Sequence, residues 1–273
     1  MSIIREEFWD RPCMGNDTTN HIPRTQTRII AGVLEFLCRL LFRLRKENQQ
    51  IVDQFKGKIS GAVVVAPHSS YLDVVVMFLA ARPKGWIRLM ARESLFTAAG
   101  GLLGNVISHA GAFPIKRDSA DRTSIKRAAT MLKNGEWVGI FPEGTRRNKG
   151  SASPALHGGA ALVARMGKAP IIPLGLENIE MVKRKGERFR FPRITARFGT
   201  PVAVSSFDFL PKDERMEGCV WYVMREAYAL TYNCPPEEVD MVTLFPESKD
   251  YTALFAEHPI DPFVPSTLPD YQP

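Results

Sequence analysis

Cysteine is scarce in this chain: Cys13, Cys38, Cys219 and Cys234 are scattered over 273 residues. They form no C-x-x-C pair and have no histidine at metal-ligand spacing, which argues against a zinc module and a redox dithiol. A reduced, structural role is expected, with no metal. Also lacking are a Walker-type glycine loop, a G-x-S-x-G nucleophile elbow and any internal repeat. Without a serine elbow, a covalent acyl-enzyme is disfavoured. The first residues, through Asp10-Arg11-Pro12, are charged and contain no apolar signal region, so no secretory signal is expected and a cytoplasmic-side location follows. Long hydrophobic runs are missing too. The nearest, Ile29 to Leu44, reaches only about 24 Å as a helix and carries Glu35, Arg39 and Arg43.

What is present is a globular composition, with 45% hydrophobic residues and a formal charge of +7. The sequence pI near 9.3 favours anionic partners, whether nucleic acid, a membrane surface or a phosphorylated substrate. Nucleic acid finds no support in zinc spacing, aromatic interleaving or a recognition-helix pattern. Within Ile29 to Leu44 the three charges recur every four residues, while Leu34, Leu37, Leu41 and Leu44 repeat at three and four on the other side. This suits an interfacial anchor and equally a surface helix packed on its own domain.

From Ile59 onward, strand-like and helix-like runs alternate, as in an α/β domain with a mixed, largely parallel sheet flanked by helices. Strands are expected over 62–66, 86–91, 137–141, 170–176 and 194–198. Helices are expected over 72–81, 123–133, 155–166 and 217–232. The glycine-punctuated stretch from Ser94 to Phe113 can bend around an acyl chain or pack as helices and turns in the core. From Pro235 the chain is proline-rich and acidic, with Lys249 its only lysine or arginine, which reads as an extended arm or a partly disordered tail.

Two segments carry chemistry, and each follows a strand-like run. In Pro67-His68-Ser69-Ser70-Tyr71-Leu72-Asp73, the histidine and aspartate lie five apart, and within one helix such positions point roughly 140° away from each other. They can meet only if His68 stands just outside the helix and Asp73 lies in its first turn. There Asp73 fixes the imidazole tautomer and His68 removes a proton from a hydroxyl. Ser70 to Asp73 also forms a capping box, and one carboxylate can serve both purposes. In Phe141-Pro142-Glu143-Gly144-Thr145-Arg146-Arg147, a carboxylate, a glycine, a hydroxyl and two guanidiniums form a phosphate cradle or a turn pinned by a Glu-Arg pair.

The series H-S-S-Y-L-D, G-A-F-P-I-K-R, F-P-E-G-T-R and A-P-I-I-P resembles the four ordered blocks of the glycerolipid acyltransferase family, above all bacterial 1-acylglycerol-3-phosphate acyltransferases. The resemblance implies that His68 is the base and Asp73 its partner. It implies that Arg117, Glu143, Gly144, Thr145 and Arg146 bind the acceptor phosphate. Lys116 stands where an aspartate is common, Arg147 where serine is frequent and Arg92 where lysine is frequent, and these are secondary candidates. Pro170, Ile171, Ile172 and Pro173 match a block that shapes the acyl site.

The organisation implied is an N-terminal segment over 1–58 with an amphipathic membrane-interface helix, an acyltransferase domain over 59–234 and a tail over 235–273. The activity implied is acyl transfer from acyl-CoA or acyl-carrier protein to the sn-2 hydroxyl of lysophosphatidate, with no cofactor. A peripheral or monotopic protein on an anionic membrane surface is expected. Acylation of another lysolipid or polar-lipid hydroxyl, thioester hydrolysis, and non-catalytic lipid binding are the alternatives.

Overall fold

The computed structural model describes residues 6–13, 21–23, 25–116, 121–144, 146, 155–183 and 186–272. Its strands are β1 (Arg45–Glu47), β2 (Val63–Val65), β3 (Ile87–Arg92), β4 (Phe113–Ile115), β5 (Trp137–Ile140), β6 (Ile171–Glu177) and β7 (Thr195–Phe198). They form one seven-stranded sheet in the order β1-β7-β6-β2-β5-β3-β4. The five strands from β6 to β4 run parallel, β7 pairs antiparallel with β6, and β1 pairs parallel with β7. The mixed, largely parallel sheet matches the expectation. Because helices cover both faces, β2 is apolar at every position: Val63 and Val65 enter one core cluster and Val64 enters the other.

The helices are α1 (Thr25–Phe42), α2 (Gln50–Gln54), α3 (Tyr71–Ala80), α4 (Glu93–Thr97), α5 (Leu102–His109), α6 (Arg122–Lys133), α7 (Gly159–Gly167), α8 (Arg215–Tyr232), α9 (Met241–Leu244) and α10 (Thr252–Glu257). α7 starts four residues later than expected, since Gly158 and Gly159 open it and the described residues before them are not helical. The stretch from Ser94 resolves into α4, a short 3-10 turn, α5 and β4.

The outer segments differ from their expected boundaries because both enter the core. On the N-terminal side, β1 extends the sheet, and residues 6–13 are strapped to it by Arg88. This fully buried guanidinium uses all five N–H donors, on Gly111 O, Arg11 O, Glu136 Oε2, Phe8 O and Trp9 O. The tail is neither an extended arm nor disordered where described. Tyr251 and Phe255, four apart, bury against Trp221 of α8, with centroids 5.8 and 5.7 Å from its ring. Farther along, Ile59 N donates to Pro269 O, tying the chain's end to the approach to β2.

In α1 the expected split between charged and apolar sides is redrawn. Thr27, Ala31, Cys38 and Phe42 face inward, and Leu44 just beyond the helix is buried with them. The exposed stripe comprises Ile29, Ile30, Val33, Phe36, Leu37, Leu40 and Leu41. Glu35 and Arg39 are engaged within the protein: Glu35 accepts from Lys46 Nζ at 2.6 Å and from Arg39 Nη2 at 2.9 Å. Burial raises the Glu35 carboxyl, but those two cations outweigh it and hold the group below the ordinary carboxylate range. Among the described residues, no helix is long and apolar enough to cross a membrane.

Candidate active site

The C-terminal ends of β2 and β5 lie side by side, with Val65 opposite Ile140, and each feeds one of the two chemical segments. After β2, Ser70 caps α3 by accepting from Leu72 N at 3.2 Å, which leaves His68 two residues before the cap and Asp73 in the first turn. His68 Nδ1 lies 3.2 Å from Asp73 Oδ2. Asp73 also accepts from the backbone amides of Ser69 and Ser70, and at 1% exposure its orientation is fixed. A carboxylate facing Nδ1 places the ring proton there and makes Nε2 the basic nitrogen. The capping box and the histidine partnership coexist on one aspartate.

After β5, Phe141 stacks on the His68 ring at 4.3 Å and 23°. Gly144 adopts φ +62°, a conformation that strains any residue with a side chain, so the turn needs glycine here. The turn drives Glu143 inward. At 2% exposure, its Oε1 accepts from His68 N at 3.2 Å and from the Tyr228 hydroxyl of α8 at 2.8 Å. Glu143 therefore braces the His68 backbone from the buried side, whereas it was expected in the phosphate cradle. Arg146 is half-buried: its guanidinium carbon sits 3.6 Å above the Tyr71 ring and its Nη2 donates to the Tyr71 hydroxyl at 3.0 Å. Tyr71 is 66% exposed and opens α3, so this stack holds a cation at the head of the helix that follows His68.

Lys116 and Arg92 are exposed at the same edge of the sheet, where β4 and β3 end in register. Lys116 Nζ is 3.9 Å from Glu93, and its backbone amide donates to Asp121 at 2.9 Å. Asp121 also caps α6 through Ser124 N at 3.1 Å. Arg117, Thr145 and Arg147 lie outside the described residues. Pro170, Ile171, Ile172 and Pro173 are buried in the central sheet, with Ile171 beside Val63 and Pro173 beside Val65. All four are buried, so the structure places the expected acyl-site block inside the core. Among the described residues, no group of three or more metal-ligating side chains is present.

Three supports of the site went unnoticed in the sequence. Tyr71 and Phe141 lie inside the quoted motifs and could have been found as aromatics flanking a base and a cation. Tyr228 lies 155 positions after Asp73 in a helix full of apolar residues, and no local signal marks it.

The acyltransferase family matches residues 43–177, which include His68, Asp73 and the whole turn around Glu143. The 1-acyl-sn-glycerol-3-phosphate acyltransferase of Bacillus subtilis is 34% identical over 157 residues, covering 58% of this chain and 74% of that relative. This chain belongs to the acyltransferase family. A second relative of this acyltransferase, the 1-acyl-sn-glycerol-3-phosphate acyltransferase of Streptococcus pneumoniae, is 33% identical over 166 residues, covering 60% of this chain and 58% of its own length. The solved structure of the 1-acyl-sn-glycerophosphate acyltransferase of Thermotoga maritima shares the fold, with a TM-score of 0.53 and 20% identity over 74% of this acyltransferase and 80% of that chain. The family match ends at Glu177, so Tyr228 braces the acyltransferase site from outside the matched region.

Proposed function

We propose that this acyltransferase moves a fatty acyl group from an acyl thioester to the sn-2 hydroxyl of lysophosphatidate, giving phosphatidate. The observation that supports the reading is the His68-Asp73 pair at the head of α3, whose first residue, Tyr71, carries the Arg146 guanidinium. The names of the relatives support the same acceptor.

His68 Nε2 takes the hydroxyl proton as the acceptor oxygen attacks the thioester carbonyl. The oxygen-carbon bond forms, the carbon-sulfur bond breaks, and the imidazolium returns the proton to the departing thiolate. Asp73 stabilises the imidazolium in between. Arg146 grips the phosphate with a planar fork, so that binding energy from the head group orients the hydroxyl against the base. Arg117 is proposed as its companion on the strength of the family resemblance. No cofactor enters these steps, and the thioester is carried by coenzyme A or by acyl-carrier protein.

The exposed aliphatic stripe of α1 supports a peripheral seat on a membrane, at the cytoplasmic face, where acceptor and product reside. An assay of purified protein with both donors and several acceptors tests the reading. Lysophosphatidate is expected to react, and monoacylglycerol, which lacks the phosphate, is expected to react far more slowly. Equal rates with the two acceptors would overturn the phosphate role, and preference for a lysolipid with a phosphodiester head group would move the assignment to that acceptor.

A further inference from the structure

Between β6 and β7 the chain carries the sequence Arg188-Phe189-Arg190-Phe191-Pro192-Arg193, which alternates cations with large rings. β6 runs parallel to β2, so this connection leaves the sheet at the edge that carries His68, and it returns where Thr195 pairs with Glu177. The three arginines and both rings are exposed, Phe189 at 54% and Phe191 at 48%. Placing two phenylalanines in water is unfavourable, and the fold does it beside other unburied apolar surface. The rings lie edge to face, 5.2 Å apart, and rest on Phe42 at the end of α1, at 6.3 and 5.6 Å. Arg43 adds a bond from its Nη2 to Phe191 O at 3.4 Å. The loop therefore abuts the helix that bears the exposed aliphatic stripe.

Charge identifies the occupant. Exposed Arg43, Arg45 and Lys183 join the three loop arginines, against exposed Glu180 and Glu187, and Glu187 is paired with Arg190 at 3.0 Å. We infer that residues 186–193 form a docking surface for a bilayer carrying anionic head groups. Phe189 and Phe191 seat among the upper acyl carbons, and the arginines hold lipid phosphates. The inference rests on the lipid-substrate reading above and deepens it, since docking here presents the His68 edge of the sheet to the bilayer. A nucleic acid or an acidic carrier protein would satisfy the arginines but not the adjoining aliphatic stripe of α1, and a bilayer satisfies both.

Sedimentation of the full chain with vesicles of phosphatidylcholine, alone and mixed with phosphatidylglycerol, tests this. The Arg188→Gln/Arg190→Gln/Arg193→Gln variant is expected to lose about two orders of magnitude in partitioning onto the anionic vesicles and to match the unaltered protein on neutral ones. Phe189→Ser/Phe191→Ser is expected to weaken binding to both. Turnover of a short-chain acceptor and thioester dispersed in water serves as the fold control for each variant. Unchanged anionic-vesicle binding by the triple variant would overturn the inference. So would loss of binding to an RNA oligomer or to acyl-carrier protein while vesicle binding persists. Charge-dependent vesicle binding by an unaltered protein that forms no phosphatidate would sink the proposed activity and leave the docking surface standing.

Discussion

The Tyr228 hydroxyl donates to Glu143 at 2.8 Å, and the same carboxylate oxygen accepts from the His68 amide at 3.2 Å. Helix α8 thus helps fix the position of His68 through one buried oxygen. Removing the hydroxyl in Tyr228→Phe leaves the ring packed against Tyr232 and Phe245 and deletes one bond to a charged group, an interaction worth about 1.5 to 3 kcal/mol. Steady-state kinetics should register a kcat about tenfold lower with acceptor KM unchanged. Glu143→Gln should behave similarly, and the double variant should lose much less than the two single losses combined. Fully additive losses would separate the two residues.

The proposed acceptor role of Arg146, with Tyr71 beneath its guanidinium, makes a kinetic prediction. Arg146→Ala should raise acceptor KM by roughly 10- to 100-fold with a smaller change in kcat, whereas Arg146→Lys, a point charge in place of a fork, should recover part of the loss. Tyr71→Ala removes the ring beneath the guanidinium and should raise KM by about two- to fivefold, the scale of an exposed cation-π contact. A change confined to kcat would contradict both assignments.

At Asp121, burial alone would raise the carboxyl, but the Ser124 hydroxyl and the amides of Lys116, Ser124 and Thr123 outweigh it and hold the group below its ordinary value of 3.8. A depressed carboxylate stabilises the fold above its unfolded pKa, and the contribution disappears as pH falls through the lower folded value. The stability difference between the unaltered protein and Asp121→Asn should therefore be full at neutral pH and shrink only in strong acid. Equilibrium denaturation at a series of pH values measures it, and a gap that closes near neutrality would refute this account.

The placement of His68 and Asp73 was legible because their motif follows a strand whose apolar run is continuous. The five-residue spacing of His68 and Asp73, together with the cap at Ser70, fixed where each had to stand. Strands β1 and β4 were hidden because edge strands are short: one reads Arg-Lys-Glu and the other contains Pro114. The partners of Glu143 were not legible, since a carboxylate three residues before an arginine suggests a local pair, and only the fold shows Glu143 bonded to His68 N and Tyr228 while Arg146 lies on Tyr71. The Pro170 to Pro173 block belongs to the core for a similar reason: an apolar strand looks the same from sequence whether it lines a groove or fills a sheet.

The tail offers a stability test. Phe255 is buried and stacked at 28° on Trp221, and Phe255→Ala should cost about 3 to 5 kcal/mol and lower Tm accordingly. A loss below about 1 kcal/mol would mean that the tail is only laid over the surface.

The most direct test of the central claim is the initial rate of phosphatidate formation by His68→Ala beside the unaltered protein, with saturating lysophosphatidate and acyl thioester. The base assignment predicts a rate roughly 10²- to 10⁴-fold lower in a protein that still folds, because His68 belongs to neither buried core cluster. A His68→Ala protein that retains near-normal turnover would contradict it.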